Sequence, residues 1–207
     1  ISEWMVNYKG GFTRRGLTGE IFIFFSNKLD LPIRFIIFLF QSLFYGIFLT
    51  LTFYFFKKIK KINYILLLII FCPLFLIYHV AELEILARKE ILIFSHFYVY
   101  LFFLEKKNNP NLSNFYLLLT LPILSLIWEP IIFFIPFYVF CFASRYVENI
   151  KKFKPNLLLN HFYSYSIFFI VLYFIISQDY TTNNEKLMCS YLKLNFNENC
   201  YMSLNYL

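Results

Sequence analysis

The chain has 207 residues, of which 60% are hydrophobic and only 15% are charged. Soluble domains carry about 45–50% apolar and about 25% charged residues, so this composition excludes an ordinary soluble domain and indicates an all-α integral membrane protein. The net charge of +7 does not indicate a nucleic-acid partner. The lysines of the chain lie mostly in short runs between apolar segments, where such runs act as topology signals.

A glycine-rich loop opens the chain, and four of the five glycines fall between Gly10 and Gly19. Arg14 and Arg15 stand among them. Glycine is used where the backbone turns at positive φ or approaches a ligand closely, so residues 1–20 are predicted to form a shaped, cationic loop that suits a phosphate. Two other interpretations are a juxtamembrane turn with its arginines among lipid headgroups, and a subunit contact.

The loop is followed by a short helix and then by the first predicted span. Thr18 is expected to cap a helix over residues 19–29, with Glu20 in its first turn, where the helix dipole favours an anion. This helix is too short to cross a bilayer and is predicted to lie at the interface. Pro32 then precedes an apolar stretch, 33–56, that is long enough to cross.

Lysine runs predict the topology. Four lysines in residues 57–61 are the strongest positive-inside signal, so that end is predicted to be cytoplasmic and the glycine-rich loop to lie on the outer face. A second span, 62–80, returns to the outer face. There the charged stretch 81–90 is expected to face the loop, and a third span, 88–104, crosses back.

The next apolar block, 114–144, is predicted to be a hairpin. Basic residues in 105–107 and 145–154 flank both of its ends, which places both ends on one side. Trp128-Glu129-Pro130 is the only polar interruption and divides the block into arms of 14 residues each. Such arms reach about 21 Å against a hydrocarbon core of about 30 Å, so we expect the turn to fall short of the outer interface.

A last span is predicted over residues 162–177, which would complete a single transmembrane domain, 1–178. The polar tail 179–207 then lies on the same outer face as the glycine-rich loop. Cys189 and Cys200 both fall in this tail, and an oxidising outer face would permit a bridge between them.

Ionisable groups near a membrane are costly, so their convergence on one face indicates a functional site. Arg14 and Arg15 suit phosphate oxygens, and Arg88 and Lys89 would orient a donor or an acceptor. A poorly solvated carboxylate can act as a general base for a hydroxyl. Two such carboxylates are available, Glu129 and Glu90.

The same charges have a structural interpretation. Glu84 and Arg88 are i, i+4 neighbours, and Glu90 could pair with an arginine of the loop, which would hold the bundle together without chemistry. No cofactor is predicted. His79 and Glu82 have the spacing of a helical metal pair, but two ligands do not make a site.

Three stretches carry a resemblance to a known family. Residues 7–20 read NYKGGFTRRGLTGE, residues 87–90 read ARKE, and residues 128–130 read WEP. Together they resemble a poorly characterised family of polytopic bacterial envelope proteins that commonly read GFVRRGLxGE, GRKE and HE at these places. The resemblance covers residues 1 to about 144. It departs at Thr13, Ala87 and Trp128, where the family has Val, Gly and His.

The family is similar in layout to O-antigen polymerases and to membrane glycosyltransferases with a large first outer loop. The resemblance implies a multi-pass protein of the bacterial inner membrane that assembles cell-surface polysaccharide, with membrane lipid, a lipid-linked sugar and other envelope-assembly proteins as partners. Family members carry helices before the motif, so we expect further chain upstream. The alternative is a non-catalytic transporter or assembly subunit. The expected site comprises Glu129 and Glu90 as catalytic residues and Arg14, Arg15, Arg88, Lys89, Gly10, Gly11 and Gly16 as binding residues.

Overall fold

The structure, a computed structural model, describes residues 2–59, 88–106, 110–147, 155–178 and 182–198, and every regular element within these ranges is helical. This confirms the all-α class. The α-helices are α1 (Leu17–Leu29), α2 (Ile33–Phe56), α3 (Glu90–Lys106), α4 (Pro110–Ile127), α5 (Ile135–Val147), α6 (Pro155–Tyr163), α7 (Ser166–Ser177) and α8 (Thr182–Phe196), with 3-10 helices at Ser2–Met5 and Glu129–Phe134.

Two helical segments of the described chain, Ile33–Phe56 and Leu158–Ser177, are long and apolar enough to cross a membrane. The first is α2, which confirms a helix over the predicted range 33–56. The second joins α6 and α7 through a turn at Ser164 and Tyr165 and begins before the predicted residue 162. The predicted span 62–80 lies outside the described residues.

Much of the apolar surface of these helices is exposed. On α2, Phe38 is 61% and Phe53 is 66% exposed, and on α7, Ile170 is 69% and Tyr173 is 76% exposed. Exposed apolar side chains are ordinary singly, but contiguous bands of them mark a surface that contacts a partner or lipid. The outward faces of these two helices therefore have the composition expected of lipid contact.

The predicted interruption of the apolar block at residues 128–130 is confirmed. Helix α4 ends at Ile127, Trp128 is extended (φ −162°, ψ 101°), and a 3-10 helix begins at Glu129. Pro130 occupies the first turn of the new helix, where a missing N–H costs nothing.

The expected arm length is wrong. Helix α4 has 18 residues because it begins at Pro110, and the returning arm combines 6 residues of 3-10 helix with the 13 residues of α5. At 1.5 Å per α-helical residue and 2.0 Å per 3-10 residue, the arms measure about 27 Å and about 31 Å. Both arms are therefore longer than the expected length of about 21 Å, and they come close to the thickness of a hydrocarbon core, about 30 Å.

Side-chain contacts place the ends of several helices together, as predicted. Lys58 Nζ lies 2.5 Å from Glu105 Oε1, so the end of α2 meets the end of α3. Cys141 and Arg145 of α5 line a cavity of about 300 Å³ together with Glu105. The described parts of the basic segments 57–61, 105–107 and 145–154 thus share one end of the bundle.

The opposite end gathers the glycine-rich loop, the 128–130 turn and the tail. Arg15 is paired with Glu129, Gly10 lies against the backbone of Asn184, and Arg34 at the start of α2 is paired with Glu198. Helix α8, within the predicted polar tail, therefore packs onto the N-terminal loop. The charged residues 81–87 lie outside the described residues.

The start of α1 differs from the expectation. Thr18 is inside the helix, which begins at Leu17 after Gly16, and its hydroxyl is buried without a hydrogen-bond partner within the described part of the chain. The local reason is an earlier turn: Gly16 N donates to Thr13 O, and Thr13 Oγ1 donates to Asn7 O, so the chain is already helical where Thr18 was expected to cap it.

We predict that the two ends lie on opposite sides of a membrane. In a Cys141→Ser background, Lys58→Cys should react with an impermeant maleimide on one side of sealed vesicles, and Asn183→Cys on the other. Labelling is measured before and after the vesicles are permeabilised. Reaction of both positions from the same side would contradict this topology.

Candidate functional site

The glycine-rich loop is ordered by its own polar groups. Asn7 is fully buried, its Nδ2 donates to Met5 O at 3.0 Å, and its Oδ1 accepts from Lys9 N at 3.0 Å. Gly11 has φ +112°, and Arg15 has φ +62°, a conformation that a non-glycine residue rarely adopts. The prediction of a shaped loop is confirmed, and its left-handed turn at Arg15 sets the direction of that side chain.

Three of the glycines are required by close packing. A Cβ on Gly10 would lie 2.0 Å from Asn184 O, one on Gly16 would lie 2.4 Å from the Tyr8 ring, and one on Gly19 would lie 2.1 Å from Val6 O. Protein atoms fill these positions, so the space beside Gly10 and Gly16 is closed. Gly11 serves a turn in which its N–H donates to Tyr8 O at 3.0 Å.

An ion pair joins the loop to the 128–130 turn. Arg15 Nε donates to Glu129 Oε2 at 2.6 Å, and the two side chains are 27% and 16% exposed. The prediction that Glu129 lies within reach of the arginine loop is confirmed. A charge-assisted hydrogen bond of this length between partly buried groups is strong, so it fixes both backbones relative to each other.

Lys89 lies beneath this ion pair and donates hydrogen bonds to backbone carbonyls. It is fully buried in the turn before α3, and its Nζ donates to Arg15 O at 3.1 Å and to Ile127 O at 3.3 Å. Both of these contacts are to carbonyls of the framework, so Lys89 positions the loop from within.

Glu90 and Arg88 stand beside this arrangement. Arg88 Nη1 is 4.0 Å from Glu90 Oε1, a loose contact, and Glu90 Oε2 is buried without a hydrogen-bond partner within the described part of the chain. Glu3 and Arg15 act electrostatically on Glu90. Glu3 was not among the predicted site residues, because it precedes the loop motif and carries no spacing signal.

Arg14 projects into a cavity of about 230 Å³ that it shares with Arg15 and Glu129. Its Nε is buried and has no hydrogen-bond partner in the described ranges. The rest of the cavity wall is apolar and comprises Pro130, Ile132, Phe133, Leu172 and Ile176. The cavity therefore combines the guanidinium of Arg14 with a hydrocarbon surface, in which Phe133 is 74% exposed.

The buried histidines His96 and His161 form hydrogen bonds with side chains of neighbouring helices. His96 Nε2 is 2.6 Å from Thr120 Oγ1 and its Nδ1 is 2.7 Å from Tyr138 Oη, which confirms the interhelical hydrogen bonding expected of such a residue. Since Thr120 Oγ1 donates to Tyr116 O, Nε2 carries the proton and Nδ1 accepts from Tyr138.

His161 forms a second cluster that the sequence did not indicate. It is fully buried, is stacked on Phe142 with ring centroids 3.9 Å apart, and bonds Asn114 and Tyr165 at 2.8 Å each. Within the described ranges, no group of three or more His, Cys, Asp or Glu residues could hold a metal ion. His79 and Glu82 lie outside those ranges.

Cys189 on α8 is disulfide-bonded, and Cys141 is free. The cysteine bonded to Cys189 lies outside the described residues, so pairing with Cys200 stays a prediction. Cys189 lies on the helix that packs against Gly10.

Comparison with family models, curated proteins and solved structures finds no match. The resemblance to bacterial envelope proteins therefore stays a proposal. Function has to be argued from the geometry of the Arg14 cavity and the surface around it.

We predict that Gly19→Ala destabilises the protein, because the added Cβ would meet the backbone carbonyl of Val6. A backbone atom cannot move aside as the end of a flexible side chain could. Overpacking of this kind costs about 1–3 kcal/mol. Gly46→Ala is the matched control: Gly46 lies in α2, nothing lies within 4 Å of its added Cβ, and alanine favours a helix by up to about 1 kcal/mol.

The measurement is thermal unfolding of both variants in the same membrane mimetic. The melting temperature should fall for Gly19→Ala and stay level or rise for Gly46→Ala. Equal melting temperatures for the two variants would show that the loop does not pack on α1 as described.

Proposed function

We propose that this chain is a multi-pass protein of the bacterial inner membrane that binds a lipid-linked phosphosugar at its outer face and acts in the assembly of cell-surface polysaccharide or glycolipid. One observation carries the proposal: the guanidinium of Arg14, whose Nε has no hydrogen-bond partner within the described residues, lies at a cavity whose other wall is apolar. A phosphate attached to a long hydrocarbon chain has both properties in one molecule.

The charges of the cavity suit a single anion. Arg15 and Glu129 offset each other at 2.6 Å, which leaves the positive charge of Arg14 in excess. Guanidinium presents several N–H donors in a plane and binds phosphate oxygens in a bidentate manner. A phosphate bound in the cavity would supply an anionic partner for the guanidinium of Arg14.

The apolar wall suits the lipid part. Leu172 and Ile176 lie on α7 and Phe133 lies in the 3-10 helix, so the wall is continuous with the exposed apolar face of α7. A hydrocarbon chain bound there would leave the cavity directly into the bilayer. This arrangement favours a membrane-dissolved ligand over a free sugar phosphate, which would leave that wall uncovered.

The membrane topology is part of the proposal. The exposed apolar faces of α2 and α7 support embedding, and the lengths of α3 and of the 110–147 hairpin support further crossings. With the predicted span 62–80, about four full spans and one hairpin would surround the site. The positive-inside rule places the Arg14 cavity on the outer face.

The proposed reaction is glycosyl transfer. An acceptor hydroxyl gives its proton to a carboxylate, its oxygen forms a bond to the anomeric carbon, and the lipid phosphate leaves with the electron pair. Glu129 lines the cavity and uses Oε2 for Arg15, which leaves Oε1 for the proton. Glu90 has an unpartnered Oε2 but does not line this cavity, so Glu129 is the better candidate base.

Replacing Arg14 should weaken binding of a lipid phosphate. We expect Arg14→Gln to bind undecaprenyl phosphate about 10–100-fold more weakly, because charge-assisted hydrogen bonds contribute about 1.5–3 kcal/mol. The measurement is native mass spectrometry of the protein released from phosphatidylcholine nanodiscs that contain this lipid. Arg145→Gln, at the opposite end of the bundle, is the matched control and should bind normally.

Undecaprenol, which has the same chain without the phosphate, tests the anion contribution. It should bind weakly to all three proteins. Equal retention of undecaprenyl phosphate by Arg14→Gln and by the unmodified chain would exclude a phosphate site at Arg14.

A second candidate function is that of a non-catalytic transporter or assembly subunit. It is favoured by the closed arrangement of Arg15, Glu129 and Lys89, in which each charge already has a protein partner. Exchanging the ion pair distinguishes the two functions, since a structural pair works in either orientation whereas a base and a phosphate ligand do not.

Arg15→Glu and Glu129→Arg should each destabilise the protein by about 3 kcal/mol, which is the lower end of the range for breaking a buried ion pair. The double variant should recover the melting temperature. If the pair serves catalysis, surface glycan in the native host should remain absent in the double variant. Recovery of glycan together with stability would instead assign these two charges a structural role and support the subunit.

A further inference from the structure

A larger cavity, of about 650 Å³, lies at the same end of the bundle as the Arg14 site, between the α1–α2 junction and the end of α8. Its volume falls within the range of about 300–1,000 Å³ that is usual for small-molecule sites. Polar and apolar groups contribute about equally to its lining, whereas the lining of the Arg14 cavity is mostly apolar. The polar residues are Ser26, Asn27, Asp30, Arg34, Asn195, Asn197 and Glu198.

An ion pair forms part of this lining. Arg34 Nε and Nη2 bind the two carboxylate oxygens of Glu198 at 2.5 Å and 2.7 Å, and Glu198 is buried. These two charges offset each other and leave the carboxylate of Asp30 in excess. The cavity therefore repels phosphate and suits a neutral, polar ligand.

Two residues in left-handed conformation stand at this cavity, Asp30 and Asn197, each with φ 54°. Each follows the last residue of its helix: Asp30 N–H donates to Ser26 O, and Asn197 N–H donates to Lys193 O. Glycine is the usual residue at this position because it adopts positive φ without a steric cost. At both helix ends the chain instead presents a polar side chain that lines the cavity.

The available groups match the chemistry of a saccharide. Sugar hydroxyls both donate and accept hydrogen bonds, which amides and carboxylates satisfy together. The side chains of Asn27, Asp30 and Asn197 are exposed and make no hydrogen bond within the described part of the chain. Phe196 adds an aromatic ring, against which the C–H face of a sugar can pack.

We propose that this cavity binds the saccharide acceptor, a second substrate site separate from the Arg14 cavity; this assignment rests on the proposed function in glycan assembly. The division follows from charge. The anionic, lipid-attached donor goes to the guanidinium and the apolar wall, and the neutral, hydroxyl-rich acceptor goes to the Asn- and Asp-lined cavity. Both open at one end of the bundle, as a transfer between two substrates requires.

The test uses the full chain in phosphatidylcholine nanodiscs, because maltoside detergents themselves carry a sugar. Saturation-transfer difference NMR is recorded with millimolar glucose, galactose, mannose, rhamnose and N-acetylglucosamine in turn. The variant is Asp30→Gly/Asn197→Gly, which removes both side chains and places the favoured residue at each left-handed position. Since it keeps or improves both helix ends, lost binding cannot be attributed to unfolding, and its melting temperature should not fall.

At least one sugar should give a signal that weakens about tenfold in the glycine variant, as expected for the loss of two hydrogen-bonding side chains. Asn183→Ala, at an exposed asparagine of α8 that does not line the cavity, should keep the signal. Absence of any sugar signal, or an undiminished signal in the glycine variant, would overturn the proposal.

The two proposals fail separately. If undecaprenyl phosphate binds through Arg14 but no sugar binds, the acceptor site is wrong and the donor site stands. If a sugar binds through Asp30 and Asn197 but the lipid phosphate does not depend on Arg14, the proposed function is wrong while the cavity remains a saccharide site.

Discussion

The ion pair between Arg15 and Glu129 holds together the end of the bundle that contains the candidate site. It joins a loop near the start of the chain to the turn of a hairpin 114 residues later, at 2.6 Å. Charged groups in a poorly solvated place are costly unless they are paired, so neither of these partly buried side chains is stable there alone. The pair holds Arg15 in its left-handed conformation and points the neighbouring Arg14 into the cavity.

Lys89 supports the same arrangement from below by binding Arg15 O and Ile127 O. The ammonium thus joins the carbonyls of two segments that have no regular hydrogen-bonding relation to each other. A backbone carbonyl left unpaired in such a place would cost free energy. The cation therefore makes irregular backbone tolerable here, which is the usual condition for non-helical structure within a membrane protein.

Much of the architecture could be predicted because it depends on local patterns. Apolar length and Pro32 predicted α2, and Pro130 predicted the break before the 3-10 helix. The proximity of Glu129 to the arginines followed from the cost of an isolated charge. The start of α1 and the lengths of the hairpin arms were mistaken, because hydrogen bonds of Thr13 and the helical conformation of residues 110–113 override composition.

The remaining features depend on contacts between distant segments. Nothing local shows that Gly10 packs on Asn184, that Glu198 pairs with Arg34, or that Lys89 turns inward to carbonyls instead of outward to a ligand. The polar cavity beside α8 was missed for the same reason. Its side chains come from two segments far apart in sequence, and Asp30 and Asn197 look like ordinary loop residues until their φ angles are known.

The contact of the N-terminal loop with α8 also determines when the site can be completed during synthesis. Asn7 N donates to Met188 Sδ across a separation of 181 residues. At about 5–20 residues per second, a ribosome needs roughly 10–40 s to make the intervening chain. During that interval the loop lacks the surface against which Gly10 packs. Arg14 and Arg15 therefore reach their final geometry only after the last described helix has been made, so a partly synthesised chain lacks the finished Arg14 cavity.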